Sequence, residues 1–401
     1  MDDLKLKTIK MYTPILKSRK VNVFSYIYLV TLLLSFHSYF ITYINSSFLQ
    51  QFIGQNKVGI LYAVGAIINI FILLKISRIL EKFGNYVTML WVSSLEIMTL
   101  VILATTQSIV LVIIAFILHQ TMNSILLLSL DEFLESASDD KKTGYIRGIF
   151  NTLISVTSVV SPVIVGSILA QSNYSSVYIF SALFLLPLIF IVGKKFKKLK
   201  DNEYHKIHIS GGIQTIAKDK NLRNIYLSNL LLQIFYSWMV IYIPIYLHES
   251  LGFSWQQLGL MISIALLPFV LFEIPVGTLA DRKLGEKEIL ITGFVIISIG
   301  LFAMTLNGTS DFILWTAILF FSRIGASFVE ITSESYFFKH ININNQNLLS
   351  VFRTTWPMGY VLGPLAGSIA LIFIDERYMF LALGLIMLLG IKFASSIRDT
   401  R

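Results

Sequence analysis

Apolar residues run along this chain in twelve long blocks, most of them separated by short polar turns. A helix crossing roughly 30 Å of hydrocarbon needs about 20 mostly apolar residues. Blocks of that size fall at 22–46, 57–76, 85–105, 108–133, 146–170, 174–193, 222–247, 255–279, 287–307, 311–337, 347–373 and 378–398. Runs such as Ile109–Leu118 lack the alternation, in segments of about ten residues, that builds a membrane barrel. The pattern predicts an all-α membrane protein with twelve transmembrane helices.

Polar residues interrupt these blocks at helical spacing. In the first, Thr31, Ser35, Ser38, Thr42 and Asn45 recur every three or four residues, one face of a helix. The tenth repeats the pattern with Thr316, Arg323, Ser327, Glu330 and Glu334. In the fourth, Gln120, Ser124, Asp131 and Glu135 share a face flanked by His119 and Asn123. The seventh carries Asn229, Gln233, Tyr236 and Ser237, with Trp238 beside them. The twelfth has no polar side chain from Met379 to Gly390. The first helix of each three-helix unit is therefore polar on one side.

Composition agrees with a membrane protein. Of 401 residues, 55% are hydrophobic and 14% charged, with mean hydropathy +0.73. Soluble domains carry roughly 45–50% apolar and about 25% charged residues. A soluble enzyme of this length is excluded, and so is intrinsic disorder. The absence of Cys removes disulfide frameworks and thiolate metal sites. The net charge of +9 changes the picture through its placement. Lys5, Lys7, Lys10, Lys17, Arg19 and Lys20 precede the first span, and Lys194, Lys195, Lys197, Lys198, Lys200 and Lys206 follow the sixth. Loops on the opposite side hold Lys57 and Arg377. By the positive-inside rule, both termini and the 194–221 connection are expected in the cytoplasm. Anionic lipid accounts for the basic excess without nucleic acid. The first span is too long for a signal peptide and is expected to be retained.

A shift of about 200 residues aligns the two halves. Gly59 falls on Gly259, and the loop Ser77–Gly84 falls on Gly277–Gly285 with one insertion. Asp131 and Glu135 correspond to Glu330 and Glu334, and the Pro162–Gly166 stretch corresponds to Pro364–Gly367. The expected organisation is a segment 1–21, a six-helix bundle 22–193, a linker 194–221 and a second six-helix bundle 222–398. Two such halves characterise parallel-repeat secondary transporters.

The loop pattern resembles the signature of the major facilitator superfamily: Gly, three residues, Asp, a basic residue, one residue, Gly. Gly277, Asp281, Arg282 and Gly285 carry it between the eighth and ninth spans. Ser77, Glu81, Lys82 and Gly84 carry a degraded copy between the second and third. The resemblance covers the whole chain. It implies two pseudo-symmetric bundles, a central cavity lined by helices one, four, seven and ten, and alternating access. It also implies a gating role for these loops, with Asp281 satisfying amides at a helix start in one conformation and releasing them in the other; the alternative is a helix cap that only marks topology.

An ionisable group at mid-membrane is costly and is a functional candidate by default. His37, Glu96, His119 and Arg323 lie near the midplane, and Glu273, Glu330 and Arg353 share a second level nearer the cytoplasmic ends. Arg323 calls for an anion, either substrate or Glu, or forms a structural ion pair. The expected substrate-binding set is His37, His119, Gln120, Asn123, Gln233, Tyr236, Trp238 and Arg323. The expected coupling or charge network is Asp131, Glu273, Glu330, Glu334 and Arg353, with protons as the coupling ion. Glu96, on a helix expected at the periphery, is read as part of a packed cluster with Ser93 and Ser94. A short surface helix is expected after Ser210-Gly211-Gly212.

No phosphate-binding Gly-x-x-x-x-Gly-Lys-[Ser/Thr] occurs, so the chain carries no ATPase motif of its own. The expected function is secondary active transport of a small organic solute, polar, weakly anionic or amphipathic, with no cofactor or metal. A monomer in the plasma membrane is expected, contacting lipid and not nucleic acid. The other classes are a non-transporting receptor or scramblase and a membrane-embedded enzyme. For the last, His119 and Asp131 are about 18 Å apart along one helix, too far for a base and its orienter.

Overall fold

The computed structural model describes residues 19–138, 143–199, 201, 209–341 and 346–398. Twelve helices in it are long and apolar enough to cross a membrane. In chain order they are α1 (Arg19–Thr42), α2 (Gln55–Leu73), α3 (Asn85–Thr105), α4 (Ile109–Ala137), α5 (Thr143–Leu169) and α6 (Tyr174–Lys195). The second half continues with α7 (Lys220–Ile245), α8 (Trp255–Leu271), α9 (Glu286–Leu306), α10 (Phe312–His340), α11 (Thr355–Phe373) and α12 (Glu376–Ser395). Their outward faces are apolar, with Trp91, Val110, Leu306 and Phe373 among the exposed side chains. In water such a surface would drive association; in lipid it is at rest.

The two halves pack in the same way. In the first, α1 lies against α4, α5 and α6, while α3 pairs with α4 and α6. In the second, α7 lies against α10, α11 and α12, while α9 pairs with α10 and α12. Each contact maps onto its counterpart six helices later. The sequence repeat is thus a repeat of packing.

Between the halves, two helix pairs carry most of the contact, α5 with α8 and α2 with α11. Both cross near the membrane face opposite the one where α1 begins and α12 ends. The aligned glycines sit at these crossings. A Cβ on Gly59 of α2 would strike Ser368 Oγ and the Pro364 carbonyl of α11. A Cβ on Gly259 of α8 would strike the Pro162 carbonyl of α5. Small residues let membrane helices approach this closely. Tyr174 and Trp255 close the same face with ring centroids 5.7 Å apart. The halves are therefore clamped at the face opposite the termini.

Several spans differ in detail from expectation. The first block ends at Thr42, and a separate helix, Asn45–Ile53, carries the chain to Gly54. Asn45 is buried there and accepts a hydrogen bond from Tyr178 Oη at 2.7 Å. The eighth block breaks into α8, a short helix Glu273–Leu279 and a π turn Ala280–Leu284. The eleventh is preceded by its own short helix, Gln346–Arg353. The helix expected after Ser210 runs Ile209–Lys218 and packs against Gln346–Arg353.

Candidate functional site

Arg323 projects from α10 and is 5% exposed. Its Cζ lies 5.0 Å from the centroid of the Phe235 ring on α7, a cation–π contact. Tyr43 just past α1, Tyr236 of α7 and Tyr360 of α11 lie within electrostatic reach of the guanidinium. Its Nε is enclosed without a hydrogen-bond partner. Among the described residues no carboxylate pairs with it. Glu330, seven residues along α10, instead accepts a hydrogen bond from Tyr236 Oη at 2.8 Å. Tyr39 of α1 faces Glu330, Tyr43 and Tyr360. Side chains of both halves thus surround one guanidinium, with four phenols and the Phe235 ring about it and Glu330; we call this region the chamber.

This chamber contains Arg323, Tyr236 and Glu330 of the expected residues, and adds four that the sequence did not mark: Tyr39, Tyr43, Phe235 and Tyr360. Tyr39 and Tyr43 flank the polar stripe of α1, next to Ser38 and Thr42. Counting Tyr as apolar concealed them.

Other expected residues lie elsewhere. Trp238 is 1% exposed, and its Nε1 donates to the Gly363 carbonyl at 2.6 Å, tying α7 to α11. Gln233 packs on Gly359 of α11 and lies 3.5 Å from Asn229 Oδ1. Asn229 in turn accepts from Thr355 at 2.7 Å and donates to Ser333 at 3.1 Å, joining α7, α10 and α11. Gln120 of α4 packs against Gly65 of α2. Asn123 accepts from Ser38 Oγ at 2.6 Å, joining α4 to α1. Glu273, Glu334 and Arg353 are exposed and form no ion pair among the described residues, but Glu273 and Glu334 lie within electrostatic reach of Glu330, and Glu334 within reach of Arg353. Asp131 pairs with Arg147 of α5 at 3.1 Å, and Arg147 reaches Glu135 at 3.7 Å. Arg147 is a partner that the sequence did not identify.

The loop motifs end in matched turns. Gly84 and Gly285 have φ of 78° and 79°, values that L side chains rarely adopt. Each immediately precedes a membrane helix, α3 or α9. Asp201, just past α6, accepts from the Asn85 amide at 3.1 Å and caps α3. Ser77 is half-buried, while Glu81, Lys82 and Arg282 are exposed. Gly277 lies against Ile331 of α10 at an ordinary packing distance, 3.8 Å for an added Cβ. The side chain of Asp281 lies outside the described residues.

His37 and His119 were expected to meet substrate. They lie instead inside the first half, on either side of Glu96 from α3. Glu96 Oε1 is 2.5 Å from His119 Nδ1 and 3.4 Å from His37 Nε2. Glu96 and His37 have no exposed surface, and His119 is 4% exposed. Ser93 and Ser94, expected to accompany Glu96, bond to the carbonyls of Met89 and Leu90 one turn back. The polar cluster is real, but its other members come from α1 and α4.

Twelve apolar helices in two equivalent six-helix halves are the architecture of a parallel-repeat membrane carrier. The family model for the Major Facilitator Superfamily matches residues 27–259 and 225–399, and the chain belongs to that family. It is a secondary transporter. The chain is similar in fold to the nucleoside transporter NupG, at 14% identity and a TM-score of 0.76, covering 94% of this chain and 99% of that one. A point mutant of NupG is similar at 13% identity and 0.74, covering 94% and 100%. A bacterial homologue of the iron transporter ferroportin in an inward-facing state is similar at 14% identity and 0.73, also covering 94% and 100%. Comparison with curated proteins returns no match.

Proposed function

We propose that this transporter carries a small organic anion, bound by Arg323 in the chamber between the halves. The observation that supports this reading is a buried guanidinium with no carboxylate partner among the described residues. A charge at mid-membrane must be compensated. A planar fork of donors suits a carboxylate or phosphate held by two parallel hydrogen bonds. Phe235, Tyr43, Tyr236 and Tyr360 around it suit a solute whose remaining surface is flat and partly apolar. The halves, taken as residues 22–193 and 222–398, rock about the bound solute, and the clamp of α5 on α8 and α2 on α11 opens in the alternate state. The protein acts as a monomer in the plasma membrane. With its basic termini in the cytoplasm, the clamped face is the outer one and the conformation described is inward-facing. A cysteine at Ser210 then labels from the cytoplasmic side.

A thermal-shift screen of purified protein against carboxylated and phosphorylated metabolites identifies the solute, and uptake into reconstituted vesicles confirms its transport. Binding that survives Arg323→Gln unchanged, or a transported solute without an anionic group, overturns the reading.

A further inference from the structure

His37, Glu96 and His119 lie off the anion chamber, and nothing in solute recognition requires them. Their hydrogen bonds constrain their protons. Ser181 Oγ donates its one hydrogen to the His37 carbonyl at 2.9 Å. The same oxygen lies 2.8 Å from His37 Nδ1. In one tautomer the hydroxyl donates to Nδ1 instead and Nε2–H donates to Glu96, which leaves the ring neutral. We take the other arrangement, in which that hydrogen stays on the carbonyl, so that the hydroxyl accepts from Nδ1 and Nδ1 carries a proton. A neutral His37 then has a bare lone pair on Nε2, and Nε2 faces Glu96 Oε1 at 3.4 Å. His119 Nδ1 meets that same oxygen at 2.5 Å as its donor.

With Glu96 ionised and both imidazoles neutral, two acceptors confront each other in a dry site of net charge −1. His37 Nε2 and Glu96 Oε2 have no hydrogen-bond partner. One added proton on Nε2 turns the confrontation into a charge-assisted hydrogen bond and makes the cluster neutral. A second added proton would leave it at +1, again uncompensated. The electrostatic neighbours of Glu96 are the two imidazoles, and those of His37 are Glu96 and His119. From α6 the cluster receives the Ser181 hydroxyl, which does not titrate. Among the described residues no fourth charge faces His37 or Glu96.

The three side chains also have the composition of a metal site, with ligand atoms within 4.8 Å of one another. At metal–ligand distances of about 2.0–2.1 Å, two donors on one ion stand roughly 3 Å apart. The 2.5 Å between Nδ1 and Oε1 is a hydrogen-bond distance, and zinc binding is the competing outcome of the test below.

We propose that His37, Glu96 and His119 form a binding site for one proton, and that this proton is the ion coupled to transport. The proton passes from water to the Nε2 lone pair and returns to water; no other bond changes. The site is joined to the moving parts through its chain neighbours. Ser38, next to His37, bonds to Asn123, one turn beyond His119. Opening of the α1–α4 seam within the first half, in one of the two states, would then hydrate the cluster and release its proton. The coupling role rests on the transporter reading; the proton count does not.

Nitrogen NMR of protein labelled at its six histidines, with His37 assigned by its loss in His37→Gln, reads the first claim. At pH 7 both ring nitrogens of His37 should be protonated, and in Glu96→Gln the ring should be neutral. A neutral His37 in the parent protein, or an imidazolium that persists in Glu96→Gln, overturns the proposal. So does stoichiometric zinc binding that is lost in His37→Gln. The coupling claim is read by pulsed EPR on spin labels at Gln107→Cys and Ser310→Cys, two exposed positions on the clamped face. The ratio of closed to open populations should change by about tenfold for each unit of pH over which the proton leaves, and should be flat in Glu96→Gln. A flat ratio in the parent overturns coupling at this site. Both measurements are made without solute, so they stand or fall apart from Arg323.

Discussion

The two halves share one packing plan and treat their buried charges in opposite ways. In the first half, the deeply buried carboxylate Glu96 is enclosed by two imidazoles of the same half. In the second, the deeply buried guanidinium Arg323 lies among side chains of both halves without an ion-pair partner among the described residues, and its Nε has no hydrogen bond. A carboxylate flanked by imidazoles of its own bundle has its compensation built in, whereas a guanidinium with no carboxylate beside it among the described residues has room for one from solution, as proposed above. The repeat supplies the frame, and departures from it supply the function.

Replacing Arg323 should therefore produce the largest effect and the least structural damage. Two charge-assisted hydrogen bonds of about 1.5–3 kcal/mol each are lost in Arg323→Met, so transport of the anion should fall at least about 100-fold. Because removing an unpaired buried charge relieves a cost, the melting temperature should hold or rise. Arg323→Lys should retain the charge and lose the fork, with affinity lower than that of the parent. Loss of transport together with a drop in stability would mean that Arg323 has a protein partner, and the contrast between the halves would fail.

Glu96→Leu should behave in the opposite way. Breaking a buried ionic cluster on one side costs about 3–5 kcal/mol, so this variant should melt several degrees lower. Replacing all three members, as His37→Phe, Glu96→Leu and His119→Phe, should recover much of that stability. Failure of Glu96→Leu to destabilise would mean that the cluster is hydrated rather than enclosed. These variants test stability, and need no solute.

The positions of the twelve spans were legible because each apolar block is long and each polar stripe keeps helical spacing. The pairing of Glu96 with His37 and His119 was not. Periodicity fixes the angle of a side chain about its own helix, but it does not say which neighbouring helix that angle faces. Glu96 looked misplaced on a peripheral helix, and the answer lay on α1 and α4. The same limit hid Arg147 opposite Asp131. Tyr39, Tyr43 and Tyr360 were missed for a different reason: their rings count as apolar while their phenols lie within electrostatic reach of Glu330 or Arg323. Trp238 and Gln233 sit beside a polar stripe, yet one ties α7 to the α11 backbone and the other packs on Gly359. The break after Thr42 carries no Pro or Gly, so the apolar pattern ran through it.

The clamp offers a test of where the halves remain equivalent. Gly59 against α11 and Gly259 against α5 are aligned in sequence and matched in contact. Gly59→Val and Gly259→Val should each push the clamped face open, raising maleimide labelling of Ile262→Cys by about tenfold, the equivalent of roughly 1.4 kcal/mol. Ile262 is 6% exposed at that face, so it reports opening directly. Comparable effects from the two valines would confirm that the crossings act as a symmetric pair. An effect confined to one would show that a single crossing bears the closure.

The smallest effects belong to the ion pairs at the face of the termini, and there the halves differ again. Asp131 and Arg147 are 32% and 36% exposed, so solvent screens their attraction, and a double-mutant cycle should return less than about 1 kcal/mol. Glu286, at the start of α9, has no exposed side-chain surface, and it accepts from Lys339 Nζ at 2.5 Å and from Ser335 Oγ at 3.0 Å. It also sits where a helix dipole favours a negative charge. The same cycle on Glu286 and Lys339 should therefore return the larger coupling, about 1–2 kcal/mol. It stays below the cost of breaking a fully buried pair because Lys339 is 40% exposed and keeps part of its hydration. Equal couplings in the two halves would show that burial of one partner does not govern these pairs. The difference between the halves would then be confined to the membrane interior, where Glu96 is enclosed and Arg323 is left open.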